Sequence, residues 1–147
     1  MKVLADTSVW SLSLRRKNAA KLSPEEQRMT ALLSEAITDG QVVMIGPIRQ
    51  ELLSGIKDPA QFDKLKGALR VFRDEPLDTF DYEEAARLYN LCRSQGVECG
   101  PVDILICAVA VRRKWKVLAN DRGLDQCLES LKSLTQARGN AKKSKQR

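Results

Sequence analysis

The 147-residue chain contains no histidine at all. That one absence excludes Ser-His-Asp and Cys-His nucleophilic machinery, H-E-x-x-H zinc sites and any histidine general base. Glycine-rich phosphate-binding loops are also missing. None of the four cysteines, Cys92, Cys99, Cys107 and Cys127, forms a C-x-x-C pair. With no secretory signal in view, they are expected to be reduced, structural thiols. The apolar start Val3-Leu4-Ala5 meets Asp6 too soon for a signal peptide, which needs roughly 7–15 apolar residues. The apolar run from Ile104 to Val111 is too short to span a bilayer, which takes about 20 helical residues. These features predict a cytoplasmic protein with no membrane association. Any hydrolysis must rest on carboxylates, metals or lysine.

What remains is a composition of 43% apolar and 30% charged residues, that of an ordinary globular domain. The length suits one core. We expect a single domain over residues 1–134 and a basic, disordered tail over 135–147. The tail carries Arg138, Lys142, Lys143, Lys145 and Arg147 without an acid, and so holds five of the six net positive charges. It reads as a solvated end or as a phosphate-attracting arm.

Short apolar strands are expected at Val3-Leu4-Ala5, at Gln41 to Ile45 and at Lys116 to Ala119, with another around Pro76-Leu77. Between them lie helical patterns. Ser23-Pro24-Glu25-Glu26 combines an N-cap serine, a proline at the first position and a glutamate at the third. Gly46-Pro47 opens a helix carrying Ile48 and Leu52, and Asp58-Pro59 opens one that should bury Phe62, Leu65, Leu69 and Phe72. Asp81 and Glu84 suggest the cap of a helix that ends at Gly96. After Gly100-Pro101, Val102 to Ala110 is too apolar for a surface helix and belongs in the core. Strands separated by helices imply an α/β fold with a mainly parallel sheet flanked by helices.

In such a sheet, reactive groups gather at the carboxyl edge of the strands. Asp6 and Asp121 each follow an apolar strand, Glu51 lies in the first turns of the helix after the second strand, and Asp103 opens the buried helix. Singly, each acid reads as a helix cap or a first-turn residue. Together they read differently, because a carboxylate entering a core is costly unless paired. A cluster of anions also repels itself unless a cation intervenes. Oxygen ligands without histidine favour Mg²⁺ or Mn²⁺ over zinc or copper. Such ions suit phosphodiester hydrolysis. Thr7 and Ser8 supply hydroxyls for metal, phosphate or capping. Arg112, Arg113, Lys114, Lys116 and Arg122, with Arg49 and Arg15, are candidates to attract a phosphate backbone. Trp10 and Trp115 read as core residues.

Four segments carry a resemblance. Asp6-Thr7-Ser8-Val9-Trp10, Arg49-Gln50-Glu51-Leu52-Leu53-Ser54-Gly55, Val102-Asp103-Ile104-Leu105-Ile106-Cys107-Ala108 and Leu118-Ala119-Asn120-Asp121 stand in the order and spacing of the PIN domain, and the chain resembles its VapC-type toxins from residue 1 to about 131. Ala119 departs from the pattern, which commonly has Thr or Ser there. The resemblance implies a PIN-like three-layer sandwich and a Mg²⁺-dependent endoribonuclease, with Asp6, Glu51 and Asp103 as main metal ligands, Asp121 completing the site and Asp125 as an outer acid. It further implies an RNA substrate, a homodimer, and a VapB-like antitoxin whose basic group approaches the carboxylates. The alternatives are a PIN nuclease for RNA processing without an antitoxin, and a non-catalytic RNA- or protein-binding PIN-like module. A haloacid-dehalogenase-type phosphatase would want an aspartate where Ser8 stands.

Overall fold

The computed structural model of the chain describes residues 1–14, 21–120 and 123–133. Asp121, Arg122, Arg15 and the basic tail lie outside them. The first strand, β1 (Val3–Ala5), leads into α1 (Thr7–Leu14) and α2 (Pro24–Thr38) before β2 (Val42–Val43). Four helices follow, α3 (Gly46–Leu53), α4 (Pro59–Leu69), α5 (Thr79–Ser94) and α6 (Pro101–Arg113), then β3 (Lys116–Leu118). A further helix, α7, covers residues 123–133.

All three strands are parallel, in the order β2-β1-β3. Val3 and Leu4 pair with Val42 and Val43 on one side and with Lys116 and Val117 on the other. The chain thus moves to one side of β1 through α1 and α2, and crosses to the other side through α3 to α6. Right-handed crossovers in opposite directions place their helices on opposite faces, which yields the expected α/β sandwich. The middle strand, β1, has β2 on one side and β3 on the other, and the carboxyl ends of such strands are where open α/β sheets form their crevice.

Local chemistry sets the helix starts. Ser23 caps α2 by accepting from the Glu26 N–H, and Glu26 Oε1 accepts in return from the Ser23 N–H, a complete capping box. Asp58 caps α4 through the Gln61 N–H. The helix expected in the core is there: every residue of α6 from Ile104 to Ala110 is buried. It packs chiefly on α5 and shares the core with Leu4, Ile45, Ile48 and Leu124. Trp10, as expected, is a core residue and meets the Phe72 ring edge-on at 5.1 Å. Trp115 is half-buried under Lys2 and Arg113.

Four expectations need correction. No strand forms at Pro76-Leu77; only Asp74 bridges to Met44, and Pro76 has no N–H to extend the pairing. The N-cap of α5 is Asp78, with Asp81 as its third-position partner, in place of an Asp81–Glu84 cap. Of the residues expected to be buried by α4, Leu69 is, whereas Phe62 stays half-exposed with Lys66 near its ring. Finally, Cys99 and Cys127 are joined as a disulfide, with Cα atoms 6.6 Å apart, and only Cys92 and Cys107 are free, buried thiols.

Candidate functional site

Asp6 is the first residue beyond β1, and its N–H still donates to Leu118 O of β3 at 2.8 Å. The ladder thereby fixes its backbone between two strands, and the side chain is 5% exposed. Both carboxylate oxygens are engaged at the start of α1: Oδ1 accepts from the Thr7 N–H at 2.7 Å and Oδ2 from Ser8 Oγ at 3.0 Å. These donors satisfy a carboxylate that would be costly to bury without partners.

Thr7 links this strand end to α3. Its Oγ1 donates to Glu51 Oε2 at 2.6 Å, across 44 residues of sequence. Neither hydroxyl serves as a helix cap; Thr7 and Ser8 each hold a carboxylate. Glu51 is otherwise exposed.

Asp103 arrives from a third element, as the third residue of α6. Its Oδ2 lies over Gly100, 3.5 Å from where a Cβ would stand, at the helix N-terminus. One turn further, Cys107 is wholly buried. Burial first, and the charges of Asp103, Cys92, Asp6 and Asp125 with it, push its thiol up to about 12. Asp6, Asp103 and Asp125 thus all act on one buried sulfur through their charge, although they come from different helix starts. We expect Cys107 to resist iodoacetamide in the native protein at pH 8–9, where an exposed thiol reacts, and to be labelled after unfolding in urea; native labelling at the rate of a free thiol would contradict this environment.

Asp6, Thr7 and Glu51 are therefore connected directly, and Asp103 stands in the first turn of α6. Among the described residues, no group of three acid or cysteine side chains is gathered tightly enough to hold a metal ion. Asp121, the fourth expected acid, falls outside the described residues. The available donors are carboxylate and hydroxyl oxygens, a set that fits a hard divalent cation such as Mg²⁺.

Among the described residues, the basic side chains expected near these acids lie elsewhere. Arg112 and Arg113 end α6, nine and ten residues beyond Asp103, which at about 1.5 Å per residue is roughly 14 Å along the axis. Arg112 Nη1 donates to Asp78 at 2.9 Å and to Asp81 at 2.8 Å; Arg113 Nη2 donates to Asp81 at 2.6 Å. Lys116 begins β3 beside Lys2, at the opposite edge of the sheet, and Lys114, between them, takes the left-handed cap of α6. Arg49 is also structural, bonded to Asp74, Leu69 O and Phe72 O around the turn after α4. What the sequence did not disclose is a groove of about 610 Å³ that opens beside Glu51 and is lined by Ser11, Ser54, Gln61, Lys64 and Leu65. Its walls come from α1, α3 and α4, so no single motif signals it.

Among the described residues no helix is long and apolar enough to cross a membrane. The search of curated proteins finds no match. Among solved structures, the crystal structure of FitAcB from Neisseria gonorrhoeae superposes with a TM-score of 0.67 at 23% identity, over 86% of this chain and 93% of that one. At that identity the likeness speaks for the fold. The PIN domain profile matches residues 3–127, and PIN domains are generally nucleases that use divalent metals. From Val3 to Cys127, this chain belongs to the PIN domain family.

Proposed function

We propose that the protein is a Mg²⁺-dependent endoribonuclease toxin of the VapC type, held in check by a VapB-like antitoxin and assembled as a homodimer. The observation that supports this reading is the Thr7 Oγ1 bond to Glu51, which ties the end of β1, next to Asp6, to the helix that carries Glu51. Asp6, Glu51 and Asp103 would hold the ion, with Asp121 completing the set and Mn²⁺ as a possible substitute. When bound, the ion supplies a lowered water pKa and stabilisation of phosphoryl charge.

The chain's own residues do the rest. Ser8 and the first N–H of α1 orient the Asp6 carboxylate. Thr7 fixes the rotamer of Glu51, an otherwise exposed side chain that would lose orientation without it. Lys64 and Gln61, in the groove beside Glu51, supply a cation and an amide to an RNA strand laid across the site. Induced alone in a bacterial host, the wild type should arrest growth, and Asp6→Asn should relieve the arrest. Equal arrest by both proteins at matched expression would rule out catalysis through this carboxylate.

A second reading is a non-catalytic PIN-like module. Such a module would bind RNA without consuming it, and its affinity for Mn²⁺ would be negligible. An RNA-processing nuclease without an antitoxin would cleave RNA in the same way but would have no small antitoxin reading frame beside its own.

A further inference from the structure

Cys127 is 1% exposed and sits in α7, two residues after Asp125. Cys99 is half-buried and lies four residues before Asp103, in the segment that leaves the Gly96 turn and enters α6. The two sulfurs are in bonding contact, and their Cα separation of 6.6 Å lies within the range that a bridge spans without moving the backbone. The sulfurs also differ in access. A surface pocket of about 640 Å³ opens onto Cys99 and is bordered by Arg93, Glu98, Gly100 and Pro101. Cys127 has no such opening; its Sγ faces Glu98 O at 3.9 Å.

We infer that Cys99 and Cys127 form a reversible thiol–disulfide exchange site, which takes a small, carboxylate-bearing disulfide of the glutathione class at the pocket over Cys99. The Cys99 thiolate attacks one sulfur of the incoming disulfide, whose S–S bond breaks and whose leaving thiolate takes a proton. The Cys127 thiolate then attacks the Cys99 sulfur of the mixed disulfide, forming the internal bridge and releasing the second small thiol. Two protein thiols are oxidised and one small disulfide is reduced to two thiols, so electrons and protons balance. The pocket is large enough to admit the reagent to the outer cysteine, and Arg93 offers a cation for its carboxylate. The inner cysteine, shielded from solvent, acts as the resolving thiol.

Once closed, the bridge ties the lead-in to Asp103 to the helix that carries Asp125, across 28 residues of sequence. It therefore braces two arms that flank the buried Cys107 thiol. This chemistry is independent of nuclease activity, and Asp103→Asn should leave it intact.

The test is equilibration of the wild-type protein with graded ratios of oxidised to reduced glutathione, quenching with iodoacetamide, and peptide mapping by mass spectrometry. The expected result is a Cys99–Cys127 cross-link that rises with the ratio, with mixed glutathione disulfide appearing at Cys99 and not at Cys127. In Cys127→Ser the mixed disulfide at Cys99 should accumulate. The bridged form should melt on the order of 5–10 °C higher than the reduced form, and amide exchange in 97–103 and 123–133 should slow on bridging. Alkylation of both cysteines at every ratio, a bridge to Cys92 or Cys107 in its place, or bridging without any gain in protection would overturn the inference.

Discussion

Asp103→Asn is expected to lower RNA cleavage by roughly 10²-fold or more while leaving the protein folded. Asparagine keeps the shape of the side chain and its place over Gly100 in the first turn of α6, so packing is preserved. What it loses is a formal charge and one hard anionic ligand. The stability effect is small, since a first-turn carboxylate gains only about 0.3–1 kcal/mol from the helix dipole. The melting temperature should therefore move by no more than a few degrees, in contrast to the collapse of activity. The check is initial-rate cleavage of a fluorogenic RNA in Mg²⁺ beside thermal unfolding of the same samples, with Asp63→Asn on exposed α4 as the control. A variant that unfolds, or one that cleaves at the wild-type rate, would contradict a role for Asp103 as a metal ligand.

Asp81→Ala is expected to cost about 3 kcal/mol of stability, near the low end for breaking a buried ion pair. Asp81 is 1% exposed and gathers three partners: Arg112, Arg113 and the Asp78 N–H of its capping box. It joins the start of α5 to the end of α6, two helices that pack against each other. Truncation removes the buried acceptor, but the arginines are partly exposed and can turn to water, which limits the loss. The neighbouring Asp78 contact is different. Arg112 holds the Asp78 carboxyl below the usual carboxylate value, but the group lies in solvent, where a single pair contributes little. Urea denaturation should show the asymmetry, with Asp74→Ala, whose partner is Arg49 at the surface, costing under about 1 kcal/mol. A comparable loss for both variants would show that burial of Asp81 is not what matters.

These two positions also show how far the sequence could be read. Asp103 was legible because its context is unusual: a carboxylate directly ahead of eight apolar residues, shortly after Gly-Pro. Periodicity places it in a first turn, and the PIN resemblance assigns the turn a purpose. The Ser23 capping box was legible for a similar reason, since its pattern is local. Asp81 was misread because Asp78-Thr-Phe-Asp81 offers two acids three residues apart, and either can cap. The choice of Asp78 depends on where the chain leaves Met44 and on the pull of Arg112 and Arg113, both tertiary facts. Those arginines were placed beside the acids for want of one dimension: they neighbour α6 in sequence, but the helix carries them to its far end. The Cys99–Cys127 bridge and the groove beside Glu51 are likewise products of helices that meet only in the folded chain. A spacing of 28 residues says nothing of either.

The most direct test of the central proposition, that acids from separate elements share a divalent ion, is calorimetric titration of the wild type and of Asp6→Asn with Mn²⁺. We predict saturable binding by the wild type and an affinity at least about tenfold weaker in the variant, because the buried carboxylate at the end of β1 is withdrawn. A wild type that takes up no Mn²⁺, or a variant that binds it equally well, would contradict the account.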